Sequence, residues 1–319
     1  MTVQTDTERA ASLNGGVMTG MALMLAGVLI APLIDIFSKL ATAHLSSTAV
    51  AFVRFVLQSS FMLPFMLWRG SWREIRLSHA GFHAIRGGVL ALSMISFVTT
   101  LRHMEVADAI AIFFVEPMIL TILSSIFLGE TIGWRRYTAC GVGILGALLI
   151  IQPSFGEVGP VALLPVVTAF CVAIFAIMTR LRAHREDPWA MQFQTGIWGG
   201  LFCALALLVL DPQGTADIAN LPGNMSAIGL LFGVSLAATT SGILSVYAYR
   251  HAPASTLAPL QYFEIVSATV LGWYVFGKFP DALKWLGIAI IITSGLYILW
   301  RERKIMSQLP PTGEPTPNP

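Results

Sequence analysis

Residues 101–130 read LRHMEVADAIAIFFVEPMILTILSSIFLGE, and residues 249–278 read YRHAPASTLAPLQYFEIVSATVLGWYVFGK. Laid over each other at an offset of 148 residues, without a gap, they bring Arg102-His103 onto Arg250-His251 and Glu116 onto Glu264. Thr121, Leu123 and Gly129 meet Thr269, Leu271 and Gly277 in the same register. Apolar matches mean little in a chain this apolar. A basic pair closing an apolar run and an acid in the middle of one are informative, because each is rare in its setting. The chain is therefore read as two copies of one unit, and the fold depends on what that unit is.

Composition answers the first part. The 319 residues are 55% hydrophobic and 11% charged, against roughly 25% charged in soluble domains. A helix needs about 20 apolar residues to cross the hydrocarbon core. Apolar runs between charged or Pro/Gly punctuation give ten candidate spans: 18–38, 46–68, 82–101, 106–128, 135–152, 158–180, 190–210, 226–248, 255–277 and 282–300. The division between the third and fourth rests only on Arg102, His103 and Glu105. The expected fold is an all-α integral membrane protein of ten transmembrane helices in two five-helix repeats. The expected segments are 1–17, 18–152, 158–300 and a Pro-rich tail at 301–319 that is read as disordered from about Ser307.

Five spans per unit is an odd number, so the second copy must be inverted, an architecture shared by many secondary transporters. With the N-terminus placed in the cytoplasm, inside segments carry thirteen Lys and Arg residues and outside loops four. This positive-inside bias predicts both termini cytoplasmic. The first sixteen residues lack the basic start, short apolar core and cleavage site of a signal peptide. The net charge of +2 is dispersed, which gives no reason to expect nucleic acid as a partner. Cys140, Cys171 and Cys203 have neither disulfide nor zinc-site spacing and are read as small buried apolar residues; no metal and no cofactor is expected.

Several phrases resemble the EamA-type members of the drug/metabolite transporter superfamily. They are Ala51-Phe52-Val53-Arg54-Phe55, the run from Ala107 to Gly129-Glu130-Thr131, Gly146-Ala147-Leu148-Leu149-Ile150 with Pro153, and Pro259-Leu260-Gln261-Tyr262-Phe263-Glu264. The resemblance spans about residues 18–304. It implies a central cavity lined by the first four helices of each half, with the fifth and tenth helices peripheral and often at a homodimer contact. It also implies residence in a bacterial inner membrane. One departure is plain: the second repeat usually ends its fourth helix with Gly-Glu, and here Gly277 is followed by Lys278.

Ionisable side chains inside a bilayer are expensive and usually face a cavity or a partner. Glu116 and Glu264 lie near the middle of the fourth and ninth spans, and Pro117 after Glu116 would break the helix there. Each is either a proton-coupling or cargo-contacting carboxylate, or half of a fixed ion pair with Arg54 or Arg86. Gln261 shares a helical face with Glu264, and Tyr262 is close by. Arg54, with Gln58 one turn on, is either a cargo anchor or a structural partner for an inward acid. Arg86 is expected to snorkel to the interface. Asp35 and Lys39 have the i,i+4 spacing of a salt bridge, with an outer gate as the alternative; Pro32 would allow a kink there. Phe97 in the third span, and Trp198 beside Gln194 in the seventh, could stack on a planar cargo or simply pack. Gly229 and Gly233 have small-xxx-small spacing and are assigned to helix packing.

These features predict a secondary transporter using alternating access, with protons or membrane lipid as further partners. Its cargo would be a small metabolite such as riboflavin or S-adenosylmethionine, with export of amino acids or related metabolites as the alternative. No Walker A pattern supports ATP hydrolysis. No HExxH or GxSxG pattern supports a membrane-embedded enzyme, and the six histidines lie at predicted span ends. A channel remains the other class, separable by saturable, proton-dependent flux.

Overall fold

The structure, a computed structural model, describes residues 2–74, 79–103, 106–130, 133–151, 161, 163–276 and 282–308, and every regular element among them is helical. The first span consists of α1 (Thr2–Ile30) and α2 (Pro32–Ala41), which meet at Ala31. Pro32 lacks an N–H, so the Val28 carbonyl loses its helical donor and the chain bends there. α3 (Ser47–Arg69) starts where the Ser46 hydroxyl accepts the Ala49 N–H at 3.1 Å, and stops at Gly70, whose φ of 71° suits a residue without Cβ. Next come α4 (Ala80–His103), the broken pair α5 (Val106–Phe113) and α6 (Glu116–Leu128), and α7 (Trp134–Ile151).

The second half repeats this pattern with α8 (Leu163–Ala183), α9 (Pro188–Leu210), a short α10 (Pro212–Asn220) and α11 (Met225–His251). Its counterpart of the α5/α6 break is more elaborate: α12 (Ala254–Leu257), a 3-10 turn over Ala258–Tyr262, then α13 (Phe263–Phe276). Pro259 sits inside that turn. α14 (Ala282–Gln308) follows, so the helix runs through Ser307 and Gln308; the remaining Pro-rich tail, 309–319, lies outside the described residues.

Among the described residues six stretches are long and apolar enough to cross a membrane: Gly16–Ala41, α3, α4, α8, α9 and α11. Glu116–Leu128, Tyr137–Gly146 and Trp285–Ser294 are shorter apolar helices. The outward faces are apolar: Trp68, Leu208 and Leu210 are among the most exposed side chains. That is the arrangement of a bundle solvated by lipid.

The packing exchanges the two halves. α1 lies on α11 while α8 lies on α4; α1 touches α13 while α8 touches α6; and α3 with α9, and α7 with α14, are self-equivalent pairs. Arg102-His103 ends α4 and Arg250-His251 ends α11, as the repeat requires. The two pairs lie at opposite ends of the bundle. Arg250 and His251 stand near His184, just before α9; burial, then the charges of Arg180, Arg250 and His251, hold the His184 imidazole below its ordinary range. Arg102 acts on Asp211, the residue that ends α9. A helix of this length separates those points by roughly 34 Å.

Of the two glycines assigned to packing, only Gly233 packs: a Cβ there would come within 2.8 Å of the Phe37 ring. Gly229 faces open space, with nothing within 4 Å. The two share a helical face, and Gly229 lies one turn nearer the start of α11 than the contact with Phe37.

Candidate functional site

A cavity lies between the two halves. Its polar lining is Asp35 from α2, Arg54 from α3, Ser93 from α4, Thr168 from α8 and Glu264 from α13. Phe97, Phe113 and Phe114 supply rings, with Phe97 and Phe113 at 5.5 Å between centroids. The wall residues of α3 and α8 belong to the first parts of those helices, and Phe97 lies in the last part of α4. All three positions are nearer the Ser46–Asp211 end than the His83–Arg180 end.

The charges in this cavity are not paired off. Arg54 is buried, with its guanidinium 4.4 Å from the Phe55 ring, and its Nε and one terminal nitrogen have no hydrogen-bond partner. Among the described residues no ion pair joins Arg54 to Asp35, Glu116 or Glu264. The fixed-pair reading of Arg54 is therefore not what the structure has. Asp35 and Glu264 are close enough for their charges to interact. Among the described residues Asp35 makes no ion pair with Lys39 either; it lines the cavity instead.

Glu116, the repeat partner of Glu264, is sealed. It is 2% exposed, one of its oxygens has no partner, and the Gln261 amide is beside it. Tyr262 is 1% exposed and stacks on Phe114 at 5.8 Å, with its hydroxyl unpartnered. Phe114 thus has the cavity on one side and Tyr262 on the other.

Three expected residues stand elsewhere. Arg86 is fully buried and does not snorkel: its guanidinium donates to Thr179 at 3.0 and 3.1 Å, to the Met191 carbonyl at 3.2 Å and to Thr195, and lies 4.3 Å from the Phe175 ring. It braces α4 against α8 and α9 because hydroxyls and a carbonyl on those helices converge on it. Trp198 packs at Gly87, where a Cβ would come within 2.6 Å of the Trp198 Cβ. Gln58 is buried and donates to the Gln192 carbonyl at 3.2 Å, joining α3 to α9. Among the described residues no group of three or more His, Cys, Asp or Glu is placed to hold a metal.

Sequence reading missed two acids. Glu130 accepts the N–H groups of Ala254 and Ser255 at 3.0 and 2.9 Å, capping α12 from the other half, with Arg180 Nε 4.0 Å away. Its signal was the Gly-Glu pair, noted only as a family mark. Glu186 gathers Arg182 at 3.3 Å, His83 at 2.9 Å and His79 at 3.6 Å. Burial pulls its carboxyl upward, and the hydrogen bond and charge of His83, then Arg182 and His79, more than reverse this and hold it below its ordinary range. Arg182 was findable by i,i+4 spacing; the histidines, on α4 and its approach, were not.

A polytopic helical bundle with hinged helices around a buried, charged cavity is a membrane carrier. The profile of the EamA-like transporter family matches residues 18–152 and again 159–300, and the chain belongs to that family. It is 28% identical over 274 residues to the S-adenosylmethionine uptake transporter of Rickettsia bellii, covering 86% of this chain and 91% of that one. It is 28% identical over 306 residues to the riboflavin transporter of Rhizobium johnstonii, covering 93% and 96%. A solved crystal structure of a protein with 14% sequence identity superposes with a TM-score of 0.76, over 90% of this chain and 99% of the other, a likeness of fold.

Proposed function

We propose that the protein imports S-adenosylmethionine, or a zwitterionic adenosyl amino acid like it, across a bacterial inner membrane by alternating access. One observation supports the reading: one cavity is lined by a guanidinium with two unpartnered nitrogens, by two neighbouring acids that no salt bridge engages among the described residues, and by a wall of rings. Such a cargo offers a carboxylate for Arg54, an ammonium and a sulfonium for Asp35 and Glu264, and a planar base for Phe97, Phe113 and Phe114. Riboflavin would use the rings and leave the charges without partners. Relatives in Rickettsia and Rhizobium named as S-adenosylmethionine and riboflavin transporters support a cargo of this kind.

In this reading α1 with α2, and α5 with α6, each form one span, as do α12 with α13. Ten spans result, in two inverted repeats, with both termini in the cytoplasm. The Ser46 end is then periplasmic and the Glu130 end cytoplasmic, so the cavity is nearer the side from which cargo enters. Protons are the proposed coupling ion, carried by Asp35 or Glu264 when no cargo cation is present. Pairing of two chains through the exposed sides of α7 and α14 completes the proposal.

The test is thermal stability of the detergent-purified protein with S-adenosylmethionine, S-adenosylhomocysteine and riboflavin. A ligand bound only by the folded state at 100 times its Kd stabilises by about 2.7 kcal/mol. S-adenosylmethionine is expected to raise Tm, and Arg54→Gln and Glu264→Gln each to abolish the rise. A rise with riboflavin alone, unaffected by Arg54→Gln, overturns the proposal.

A further inference from the structure

We infer that Glu116, Gln261 and Tyr262 form a second cargo site, closed in this conformation, that opens to the Glu130 end when the cavity around Glu264 closes. The inference deepens the alternating-access reading above and rests on it. The ligand class is the cationic end of the same cargo, an ammonium or sulfonium.

Three observations converge. First, the cluster holds unused polar capacity: Glu116 Oε1, Gln261 Oε1 and the Tyr262 hydroxyl are all buried without hydrogen-bond partners. Proteins pair nearly all buried polar groups, so a cluster of unpaired ones is costly in this state unless another state uses them. Second, Glu116 and Glu264 occupy equivalent positions 148 residues apart, yet one is sealed and the other lines the cavity. The helix contacts of the two halves interchange under the same equivalence. Exchanging the conformations of the halves would therefore put Glu116 where Glu264 now stands, and seal Glu264.

Third, the means of exchange are built in. Glu116 is the first residue of α6, directly after the break from α5, and Pro117 withdraws the donor that the Phe113 carbonyl would take. Glu264 follows the 3-10 turn that contains Pro259. Both glutamates thus sit at hinges. Phe114, shared between the cavity and Tyr262, is the partition that must move. Cargo would pass from Glu264 to Glu116 without a moment in which both carboxylates are open.

The test is sided labelling. Glu264→Cys, Glu116→Cys and Gln261→Cys are placed singly in the full chain, and right-side-out and inverted membrane vesicles are treated with a charged, membrane-impermeant maleimide. Labelled positions are read by mass spectrometry, so the native cysteines serve as internal controls. A minor state populated at 0.1–10% gives labelling at least about tenfold slower than a major one. Glu264→Cys is expected to label from the Ser46 face, and Glu116→Cys and Gln261→Cys from the Glu130 face, slowly at rest. Gln261→Cys keeps the test alive should Glu116→Cys fail to fold. Labelling of both masked positions from the Ser46 face, or from neither face, overturns the second site. Flux of labelled S-adenosylmethionine in the wild-type vesicles is scored separately. Absent flux with the expected labelling removes the cargo assignment and leaves the second site standing. Normal flux with positions 116 and 261 unlabelled does the reverse.

Discussion

At the Glu130 end of the bundle, acids reach across from one half to the other. Glu130 caps α12, and Arg180 stands beside it while also donating to the Tyr249 carbonyl; Glu186 holds Arg182, His79 and His83 together. At the Ser46 end the hydrogen-bond donors that cross between the halves are neutral: Asp217, on the peripheral α10, accepts the Ser46 N–H at 2.8 Å. Asp211 caps α10 there and is also held from the other half; burial pulls its carboxyl up, while Ser46, the Gly214 N–H, Thr48 and the charge of Arg102 hold it below its ordinary range. The difference teaches where the molecule is closed. Charged clasps lie where the cavity is remote, and simple caps lie where it comes near.

The comparison breaks most severely at Arg86, which braces the clasped half from within. Arg86→Leu removes a guanidinium shared among Thr179, Thr195 and the Met191 carbonyl, and is expected to destabilise by about 2–4 kcal/mol, read as a fall in Tm in detergent. Arg86→Lys should recover only part of this, because one ammonium cannot span three acceptors. If Arg86→Leu melts like wild type, the brace is not structural.

Next in size are the caps, compared directly. Glu130→Ala strips two N–H groups of their acceptor and should cost about 1–2 kcal/mol; Asp217→Ala, with one, about 0.5–1. Equal losses would erase the distinction between the two ends. Glu186 sharpens it by pH. Its folded pKa is depressed, so its contribution is present above the ordinary carboxylate pKa of about 4.3 and is lost as pH falls through the lowered folded value. The Tm gap between wild type and Glu186→Gln should be full at neutral pH and shrink below about pH 4. A gap independent of pH would remove the clasp. Smallest of all is Gly229→Ala, which meets nothing and should be neutral or stabilising by up to about 1 kcal/mol through helix propensity.

Much of the cavity was legible. Asp35, Arg54 and Glu264 stand out in sequence because lipid makes charge rare, Phe97 only as a ring, and all four line the cavity. Glu116 carries the same signal and yet is sealed, because an internal repeat is symmetric while any single conformation is not. Arg86 was misread since its burial depends on Thr179 and Thr195, some 93 and 109 residues away, with no local pattern announcing them. Lys39 was paired with Asp35 by spacing, but spacing alone does not say which neighbour a side chain takes, and Asp35 lines the cavity. The helical class was set by composition alone. The helix breaks before Glu116 and at Pro259 fall inside stretches that the sequence reads as continuous apolar runs, 106–128 and 255–277, and only the two prolines hint at them.

The Gly129-Glu130 pair has Gly277-Lys278 as its counterpart in the other half, so the acid that caps α12 has no acidic equivalent. A latch of about 1.4 kcal/mol present in one state and missing in the other sets a tenfold bias between them. On the proposed import reading, the empty carrier rests with its mouth toward the supply, and its slow stroke is the return. Swapping labelled for unlabelled cargo, which skips the empty return, is expected to outpace net uptake, and Glu130→Gln to narrow that gap.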